Sequence, residues 1–172
     1  LTQGVAIAAA TFALAASAQA DDYPSRPVEV IVPYAAGGGT DLSVRIMAET
    51  LQKYLPNSTV VVRNVPGGGG SIGTGQALSA PADGYTLGTG AQGPIALLPH
   101  YGSTTYTLDD VDFIAMMGRN LKVVMACKGA PFSTFEELID HAKANPGATL
   151  VGNSGAGGAD HLAIEAFGKI SG

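Results

Sequence analysis

The sequence has a single cysteine and few charged side chains. One Cys among 172 residues excludes a disulfide framework and any metal site built from several cysteines. Charged residues make up 13% of the chain, about half the usual share. Nine Lys and Arg against fourteen Asp and Glu give a net charge of -5, which argues against a nucleic-acid binder because such a protein presents a basic surface. A hydrophobic content of 46% excludes a disordered tail.

The first twenty residues have the character of a secretory signal peptide. Residues 1–20 carry no charge and end in Ala-Gln-Ala, a small-x-small cleavage motif that two aspartates follow. The alternative is a transmembrane anchor, but the segment is too rich in alanine for a strongly apolar span. We therefore predict a signal peptide over residues 1–20, cleavage after Ala20, and a mature protein that works outside the cytoplasm.

Three strand–turn–helix units are predicted in the first part of the mature chain. A β-rich run at 26–33 leads through a glycine-rich turn at 34–41 into an amphipathic helix, which Thr40 or Gly39 would cap. The further units have strands at 59–63 and 85–88, a glycine-rich turn at 66–71, and short helices that end near residues 80 and 98. Repetition of this unit is typical of a parallel α/β sheet.

The rest of the chain predicts more strands and helices of the same kind. Strands are predicted at residues 111–117, 121–127 and 149–151, and helices at 135–144 and from about 160 onward. A capping box over residues 133–136 begins the first of these helices. Cys127 is expected to be a buried free thiol. No closing strand follows the last helix, so the chain is expected to be cut short.

The glycine-rich turns precede helices and are therefore candidate anion sites. Free N–H groups and the dipole at a helix N-terminus favour an anion, and glycine lets the backbone approach it closely. The nucleotide fingerprint G-x-G-x-x-G occurs at 68–73 and 88–93, but neither match has the acidic residue expected about 20 residues later. No Gly-Lys-Ser/Thr follows a turn, which excludes a P-loop. We therefore expect no nucleotide cofactor.

The turn at 152–156 is similar to a hydrolase nucleophile elbow. It is one residue short of G-x-S-x-G, with Ser154 at its centre, and Asp160 and His161 follow it. A hydrolase takes its acid and base from later loops, and an anion-holding loop fits the same residues equally well. Both interpretations stay open at this point.

The three histidines give no sign of a metal centre. His100, His141 and His161 are far apart in the sequence and lack the spacing of metal ligands. Only His161 lies beside the polar turn, at the start of the last predicted helix, where it could line a site.

Four segments carry a resemblance to a known family. They read YPSRPVEVIVPYAAGGGTD (23–41), VVVRNVPGGGGSIG (60–73), ADGYTL (82–87) and HLAIEAF (161–167). In this order they resemble the N-terminal half of the periplasmic solute-binding receptors of tripartite tricarboxylate transporters, the Bug or TctC-like family. The resemblance implies a periplasmic-binding-protein-like fold, in which two α/β lobes with parallel-type sheets close on a ligand like a flytrap. Residues 21–117 would form part of the first lobe and residues 118–172 the start of a truncated second lobe.

The resemblance also implies where a ligand carboxylate is held. Backbone amides, small hydroxyls and bridging waters of the first glycine-rich turn and of the polar turn in the second lobe would bind it. Thr40 and Ser154 are the expected hydroxyls, and Gly38, where valine would block close approach and disfavour a positive φ, is an expected amide donor. Asp41 is either a structural cap or a contact to a ligand amine. The predicted ligand-binding residues are Tyr34, Gly38, Gly39, Thr40, Asp41, Gln92, Asn153, Ser154, Gly155 and His161.

By this resemblance, the chain is a non-enzymatic binding protein that captures a di- or tricarboxylate or a related organic acid. It would deliver this ligand in the periplasm to the membrane subunits of a tripartite tricarboxylate transporter, without metal, cofactor or nucleic acid. Asp160 stands where a small or hydroxyl residue is expected, so the charge at that end of the ligand is open. The alternatives are an α/β hydrolase-like enzyme that uses Ser154 and a non-functional truncated remnant.

Overall fold

A computed structural model describes residues 23–55, 58–101, 104–119 and 121–171. The predicted signal peptide, residues 1–20, lies outside these ranges. Within them, no helix combines the length and the apolar character that crossing a lipid bilayer requires.

The first part of the chain forms a parallel three-stranded sheet, as the sequence predicts. Strand β1 (Val28–Val32) lies in the middle, between β2 (Val60–Asn64) and β3 (Thr86–Gly88). Val28 is in register with Val60, and Ile31 is in register with Gly88. The central position of β1 explains its nearly unbroken apolar sequence, because both of its faces are covered.

A helix covers each face of this sheet. Helix α1 (Gly39–Tyr54) packs on the face that Val30 and Val32 share, where Val44 and Ala48 complete the core. Helix α2 (Ser71–Leu78) lies on the other face, since a β-carbon added to Gly88 would lie 2.9 Å from the β-carbon of Ala77. The periodic apolar residues of α1 thus meet a sheet face, which is why this helix is predicted correctly.

The third unit differs in its helix type from the short apolar helix that the sequence predicts to end near residue 98. After β3, the chain forms a π-helical turn (Gly93–Leu97) and then a 3₁₀ helix (Leu98–Tyr101). A further 3₁₀ turn follows (Leu108–Asp110). The buried Tyr106 donates a hydrogen bond from its hydroxyl to the carbonyl of Pro94 at 2.7 Å, so the segment after the 3₁₀ helix ties back to the π-helical turn.

The strands predicted at 111–117, 121–127 and 149–151 are wrong for this structure. Residues 111–119, 121–127 and 149–151 form no strand in the described part of the chain. Their apolar side chains are exposed, with Leu121 at 91% and Leu150 at 94% of full exposure. A strand needs a neighbour that accepts and donates its backbone hydrogen bonds, and none of the described residues supplies one here. Cys127 is accordingly exposed rather than buried.

Two helices lie in the part of the chain that follows residue 121. Helix α3 (Phe135–Ala144) begins with a capping box formed by Thr134 and Glu137, one residue later than predicted. The Thr134 hydroxyl accepts a hydrogen bond from the Glu137 amide at 3.2 Å, because Thr134 and not Ser133 occupies the N-cap position. Helix α4 (Ala159–Ser171) follows the polar turn, and Phe167 on α4 packs against Phe135 on α3 with ring centroids 4.7 Å apart.

Candidate ligand-binding site

Three turns follow the carboxyl ends of the three strands and lie at one edge of the sheet. We name them the first turn (residues 33–38), the second turn (65–70) and the third turn (89–92). A parallel sheet brings such turns together, and ligands of α/β proteins bind at this edge. The polar turn before α4 is the fourth turn (152–158).

The first turn leads into an α1 N-terminus that no side chain caps. The N-cap residue is Gly38, with φ −74° and ψ 164°, and it makes no side-chain capping hydrogen bond. Nothing lies within 4 Å of a β-carbon built on Gly37 or Gly39, so open space surrounds these positions. The expected positive φ falls on Gly37, at 82°, rather than on Gly38. No side chain caps the first amides of α1, and Thr40 is half-buried beside them. The Gly38 amide, which the sequence predicts as a ligand donor, donates to the Ala35 carbonyl at 3.4 Å instead.

Asp41 lies in the first turn of α1 but faces the protein. Its side chain is 2% exposed, and its Oδ2 accepts hydrogen bonds from the Gly37 amide at 2.8 Å and from Arg45 Nε at 3.0 Å. Asn64 Nδ2 donates to its Oδ1 at 2.9 Å. The hydrogen bond from Arg45, helped by those from Gly37 and Asn64, lowers the pKa of Asp41 to about 2. This arrangement supports the structural alternative for Asp41, in which the carboxylate shapes the first turn.

Tyr34 connects the first turn to the second and third turns. Its carbonyl accepts a hydrogen bond from Asn64 Nδ2 at 3.0 Å. Its hydroxyl lies 3.2 Å from the position of a β-carbon built on Gly70, and Pro94 Cγ lies 3.0 Å from the same position. Burial raises the pKa of Tyr34, and the negative charge of Asp160 raises it further. The phenol therefore stays neutral and can donate a hydrogen bond, and the negative charge of Asp160 favours this neutral form.

The fourth turn packs directly on the second turn and on the start of the π-helical turn. A β-carbon on Gly69 would lie 2.8 Å from the Gly158 nitrogen and 2.9 Å from the Ala156 oxygen. A β-carbon on Gly93 would lie 3.0 Å from the Ala159 nitrogen. Since real β-carbons essentially never come this close to backbone atoms, glycine at both positions permits the contact. The N-terminus of α4 thus lies against the edge where the strands end.

A carboxylate of the chain itself occupies the polar end of the fourth turn. The Ser154 hydroxyl donates to Asp160 Oδ2 at 2.8 Å, and Lys122 Nζ lies 2.8 Å from Asp160 Oδ1. The hydrogen bond from Lys122, together with that from Ser154, lowers the pKa of Asp160. The side chain of Asn153 accepts a hydrogen bond from the Gly155 amide at 2.9 Å, which shapes the turn.

The geometry of Ser154 does not match that of a hydrolase nucleophile. Its hydroxyl is hydrogen-bonded to Asp160, whereas a serine nucleophile needs a base such as histidine within hydrogen-bond reach. The nearby His161 accepts the Gly157 amide on Nδ1 at 3.4 Å, and its Nε2 lies 3.8 Å from Glu165. Among the described residues, Ser154 and His161 thus face different partners.

The structure divides the predicted site residues into two clusters. Tyr34, Gly38, Gly39, Thr40 and Asp41 surround the α1 N-terminus, and Asn153, Ser154, Gly155 and His161 surround the α4 N-terminus. Gln92 is exposed directly before the π-helical turn, next to the Gly93 that contacts α4.

Sequence reasoning missed three residues that shape the candidate site. Asn64 holds the first turn, Gly69 admits the fourth turn, and Lys122 neutralises Asp160. Asn64 and Gly69 lie in a segment that carried the family resemblance, which was the available signal. Lys122 lies in a predicted strand, and the sequence carried no signal for its role beside Asp160.

Two other features of the described part of the chain lie apart from this site. No group of three or more His, Cys, Asp or Glu side chains in it could hold a metal ion. A polar groove of about 360 Å³ runs along α2 beside Thr104 and Thr105, and it contains none of the predicted ligand-binding residues.

Comparison with known proteins places these features in a family. The sequence model of the tripartite tricarboxylate transporter family receptor matches residues 43–172. Protein BugT of Bordetella pertussis is 37% identical over 166 residues, which cover 95% of this chain and 51% of BugT. A UPF0065 protein in the gbd 5' region of Cupriavidus necator is 35% identical over 166 residues, 94% of this chain and 50% of that protein. The chain thus spans about half the length of these curated relatives.

Solved structures show the same likeness. A periplasmic transporter structure matches with a TM-score of 0.70 at 29% identity, over 87% of this chain and 50% of the other. The R. palustris protein Rpa4515, solved with adipate, matches with a TM-score of 0.71 at 29% identity and the same coverage. The periplasmic binding protein BugD matches with a TM-score of 0.57 at 26% identity, again over 87% of this chain and 50% of the other. These matches confirm the predicted α/β fold of the periplasmic-binding-protein type.

Proposed function

We propose, because this chain belongs to the tripartite tricarboxylate transporter receptor family, that it is part of a solute-binding protein for a small organic acid. The ligand carboxylate binds at the N-terminus of α1, between the first turn and the edge of the sheet. The protein captures its ligand without chemical change, as a receptor does.

The observation that carries this proposal is the open, uncapped N-terminus of α1. The N-cap Gly38 makes no side-chain capping bond to the first amides of α1, and Gly37 and Gly39 have free space where a side chain would be. The acid of this helical turn, Asp41, is turned inward and paired with Arg45, which balances its negative charge. Free amides and the positive end of a helix dipole favour a carboxylate. Rpa4515, which was solved with adipate, supports a carboxylate as the ligand class.

Calorimetric titration of the complete natural protein with adipate, succinate, citrate and propionate tests this proposal. The Gly39→Val variant places a side chain over the free amides without a clash in the protein, because nothing lies within 4 Å of that β-carbon. We expect it to weaken binding of the preferred acid by about tenfold or more, or about 1.4 kcal/mol. Gly118→Val is the matched control, since its β-carbon also meets nothing within 4 Å and it lies outside the four turns.

Two outcomes would overturn the proposal. One is the absence of binding by any acid of the panel to the unmodified protein. The other is equal affinity of Gly39→Val and of the unmodified protein for an acid that does bind, because the α1 N-terminus would then not touch the ligand.

The proposal extends to export and delivery. The Ala-Gln-Ala motif at 18–20 supports a signal peptide and hence a periplasmic site of action, in agreement with the periplasmic character of BugD. Family membership supports delivery of the ligand to the membrane subunits of a tripartite tricarboxylate transporter.

A further inference from the structure

Residues 23–26, which precede β1, are tied to residues 83–85, which precede β3, and we name this contact the N-terminal latch. Since β1 and β3 are parallel, the latch lies at the edge where the strands begin, opposite the edge that holds the candidate ligand site. The Glu29 amide donates to the Tyr85 carbonyl at 2.8 Å, so the two segments enter the sheet side by side. Chain ends are commonly loose unless something ties them down, and the latch does this for residues 23–26.

Two tyrosine hydroxyls join the two sides of the latch. The Tyr23 hydroxyl donates a hydrogen bond to the Gly84 carbonyl at 2.7 Å. From the other side, the Tyr85 hydroxyl accepts a hydrogen bond from the Ser25 amide at 2.9 Å and lies 3.0 Å from the Ser25 hydroxyl. The latch therefore holds the backbone at Ser25 as well as the side chains around it.

Arg26 adds an ion pair and a stacked contact to the latch. Its Nη2 lies 2.7 Å from Asp83 Oδ2, and its guanidinium carbon lies 3.9 Å from the centre of the Tyr85 ring. The Tyr23 ring meets the same ring edge-on, with centroids 5.1 Å apart. The ion pair contributes little by itself because both of its side chains are about half exposed, at 55% and 41%. The contacts share the Tyr85 side chain, however, so several of them must break together when the latch opens.

The latch lies very near the predicted cleavage site. Cleavage after Ala20 leaves only Asp21 and Asp22 before Tyr23. Because successive Cα atoms are about 3.8 Å apart, the Cα of Ala20 lies within about 11 Å of that of Tyr23. A protease cuts chain that is locally unfolded, and it cuts an ordered segment through its transiently open form. A closed latch therefore keeps the folded sheet so close to the bond that an enzyme has little room for the chain that follows it.

We propose that the N-terminal latch controls removal of the signal peptide: the bond after Ala20 is cut while the latch is open, and closure of the latch protects it. The reaction is hydrolysis by a signal peptidase, in which water adds across the peptide bond and leaves a carboxylate on Ala20 and an α-amine on Asp21. Cleavage thus precedes the last step of folding at the N-terminus, and a folded precursor is processed only as fast as its latch opens. This inference rests on the export that belongs to the proposed function.

A spacer tests the inference on the precursor of the complete natural protein, with residues 1–20 retained. An insertion of about six Gly and Ser residues between Asp22 and Tyr23 keeps the residues next to the bond and moves the bond up to about 20 Å farther from the latch. Both folded precursors are treated with purified signal peptidase in detergent, and mass spectrometry follows the appearance of a chain that begins at Asp21. We expect the natural precursor to be cut about tenfold or more slowly than the spacer precursor.

Substitutions on the far side of the latch open it without changing the chain around the bond. Tyr85→Ala removes the shared ring and hydroxyl, so it should speed cleavage of the natural precursor by about tenfold and leave the spacer precursor unchanged. Hydrogen exchange of the Ser25 amide reports the latch itself and should become faster in this variant. Arg63→Gln is the matched control, because it breaks a similar ion pair, to Glu29 at 2.6 Å, outside the latch, and it should change neither rate.

A milder variant covers the case in which Tyr85→Ala does not fold. Asp83→Asn removes the charge that pairs with Arg26 but can still accept the hydrogen bond that the Tyr85 amide donates to this side chain at 3.0 Å. We expect it to speed cleavage of the natural precursor by about twofold to fivefold, as the loss of one exposed ion pair implies.

The results separate this inference from the proposed function. If the spacer precursor is cut after Ala20 and the natural precursor is cut equally fast, the latch does not control cleavage and only this inference is overturned. The same conclusion follows if Tyr85→Ala speeds exchange of the Ser25 amide but not cleavage. If neither precursor is cut after Ala20, the export in the proposed function fails, and this inference fails with it.

Discussion

The contact between the second and fourth turns makes a quantitative prediction about Gly69. This residue has φ +63°, and a β-carbon there would lie 2.8 Å from the Gly158 nitrogen and 2.9 Å from the Ala156 oxygen. An alanine in the left-handed region costs about 1–2 kcal/mol, and forced overpacking against backbone costs about 1–3 kcal/mol more. We therefore expect Gly69→Ala to lower the free energy of unfolding by about 2–5 kcal/mol in total.

Gly147→Ala separates the two parts of this loss. Gly147 has φ +78°, but nothing lies within 4 Å of its β-carbon position, so this variant carries the backbone cost alone. We expect it to lose about 1–2 kcal/mol. Urea unfolding followed by circular dichroism measures both variants, and the melting temperature of Gly69→Ala should fall by about 4–20 °C for a domain of this size.

Hydrogen exchange locates the effect of Gly69→Ala within the molecule. The Gly158 amide donates to the Gly155 carbonyl at 3.0 Å within the fourth turn. If Gly69→Ala displaces this turn, the Gly158 amide should exchange faster, whereas Gly147→Ala should leave its exchange unchanged. A Gly69→Ala variant no less stable than Gly147→Ala, with unchanged exchange at Gly158, would show that the two turns do not touch and would refute the reasoning.

The remaining predictions concern acid stability, one buried hydrogen bond and export. Because the pKa of Asp41 is lowered from 3.8 to about 2 in the folded state, its contribution to stability is complete above pH 3.8 and is lost as the pH falls toward 2. Asp41→Asn should therefore flatten the acid-induced loss of stability in this window, as pH-dependent urea unfolding would reveal, and an unchanged slope contradicts this. Tyr106→Phe removes the donor to the Pro94 carbonyl and should cost about 1–3 kcal/mol in urea unfolding, and no loss would mean that this bond is not formed. N-terminal sequencing of exported protein should find cleavage after Ala20, and periplasmic protein that keeps residues 1–20 would disprove it.

The central sheet and its first helix could be predicted because their signals are local. The apolar run of β1 and the spacing of Val44 and Ala48 on α1 are visible within a few residues, and both elements find their partners nearby in the sequence. By contrast, the strand predicted at residues 121–127, which include Leu121, was wrong. An apolar, β-branched segment has the same pattern whether or not a strand pairs with it, so its sequence cannot reveal that its side chains are exposed.

The site was harder to predict because its decisive contacts join distant residues. The position of Asp41 in the sequence indicated a helix cap, but its burial depends on Asn64, which lies 23 residues away. Gly69 belongs to a segment that matches a nucleotide fingerprint, yet its structural requirement is the backbone of Gly158 against it. A glycine motif alone does not distinguish a turn that approaches a phosphate from one that approaches another part of the same chain.

The two acidic residues at helix N-termini differ in the partners that hold them. Asp41 accepts hydrogen bonds from Arg45 and Asn64 and shapes the first turn. Asp160 accepts the Ser154 hydroxyl and pairs with Lys122 at the start of its own helix. Since a cation of the chain lies beside each carboxylate, the charge at each helix N-terminus depends on the partner of its aspartate and not on the number of aspartates.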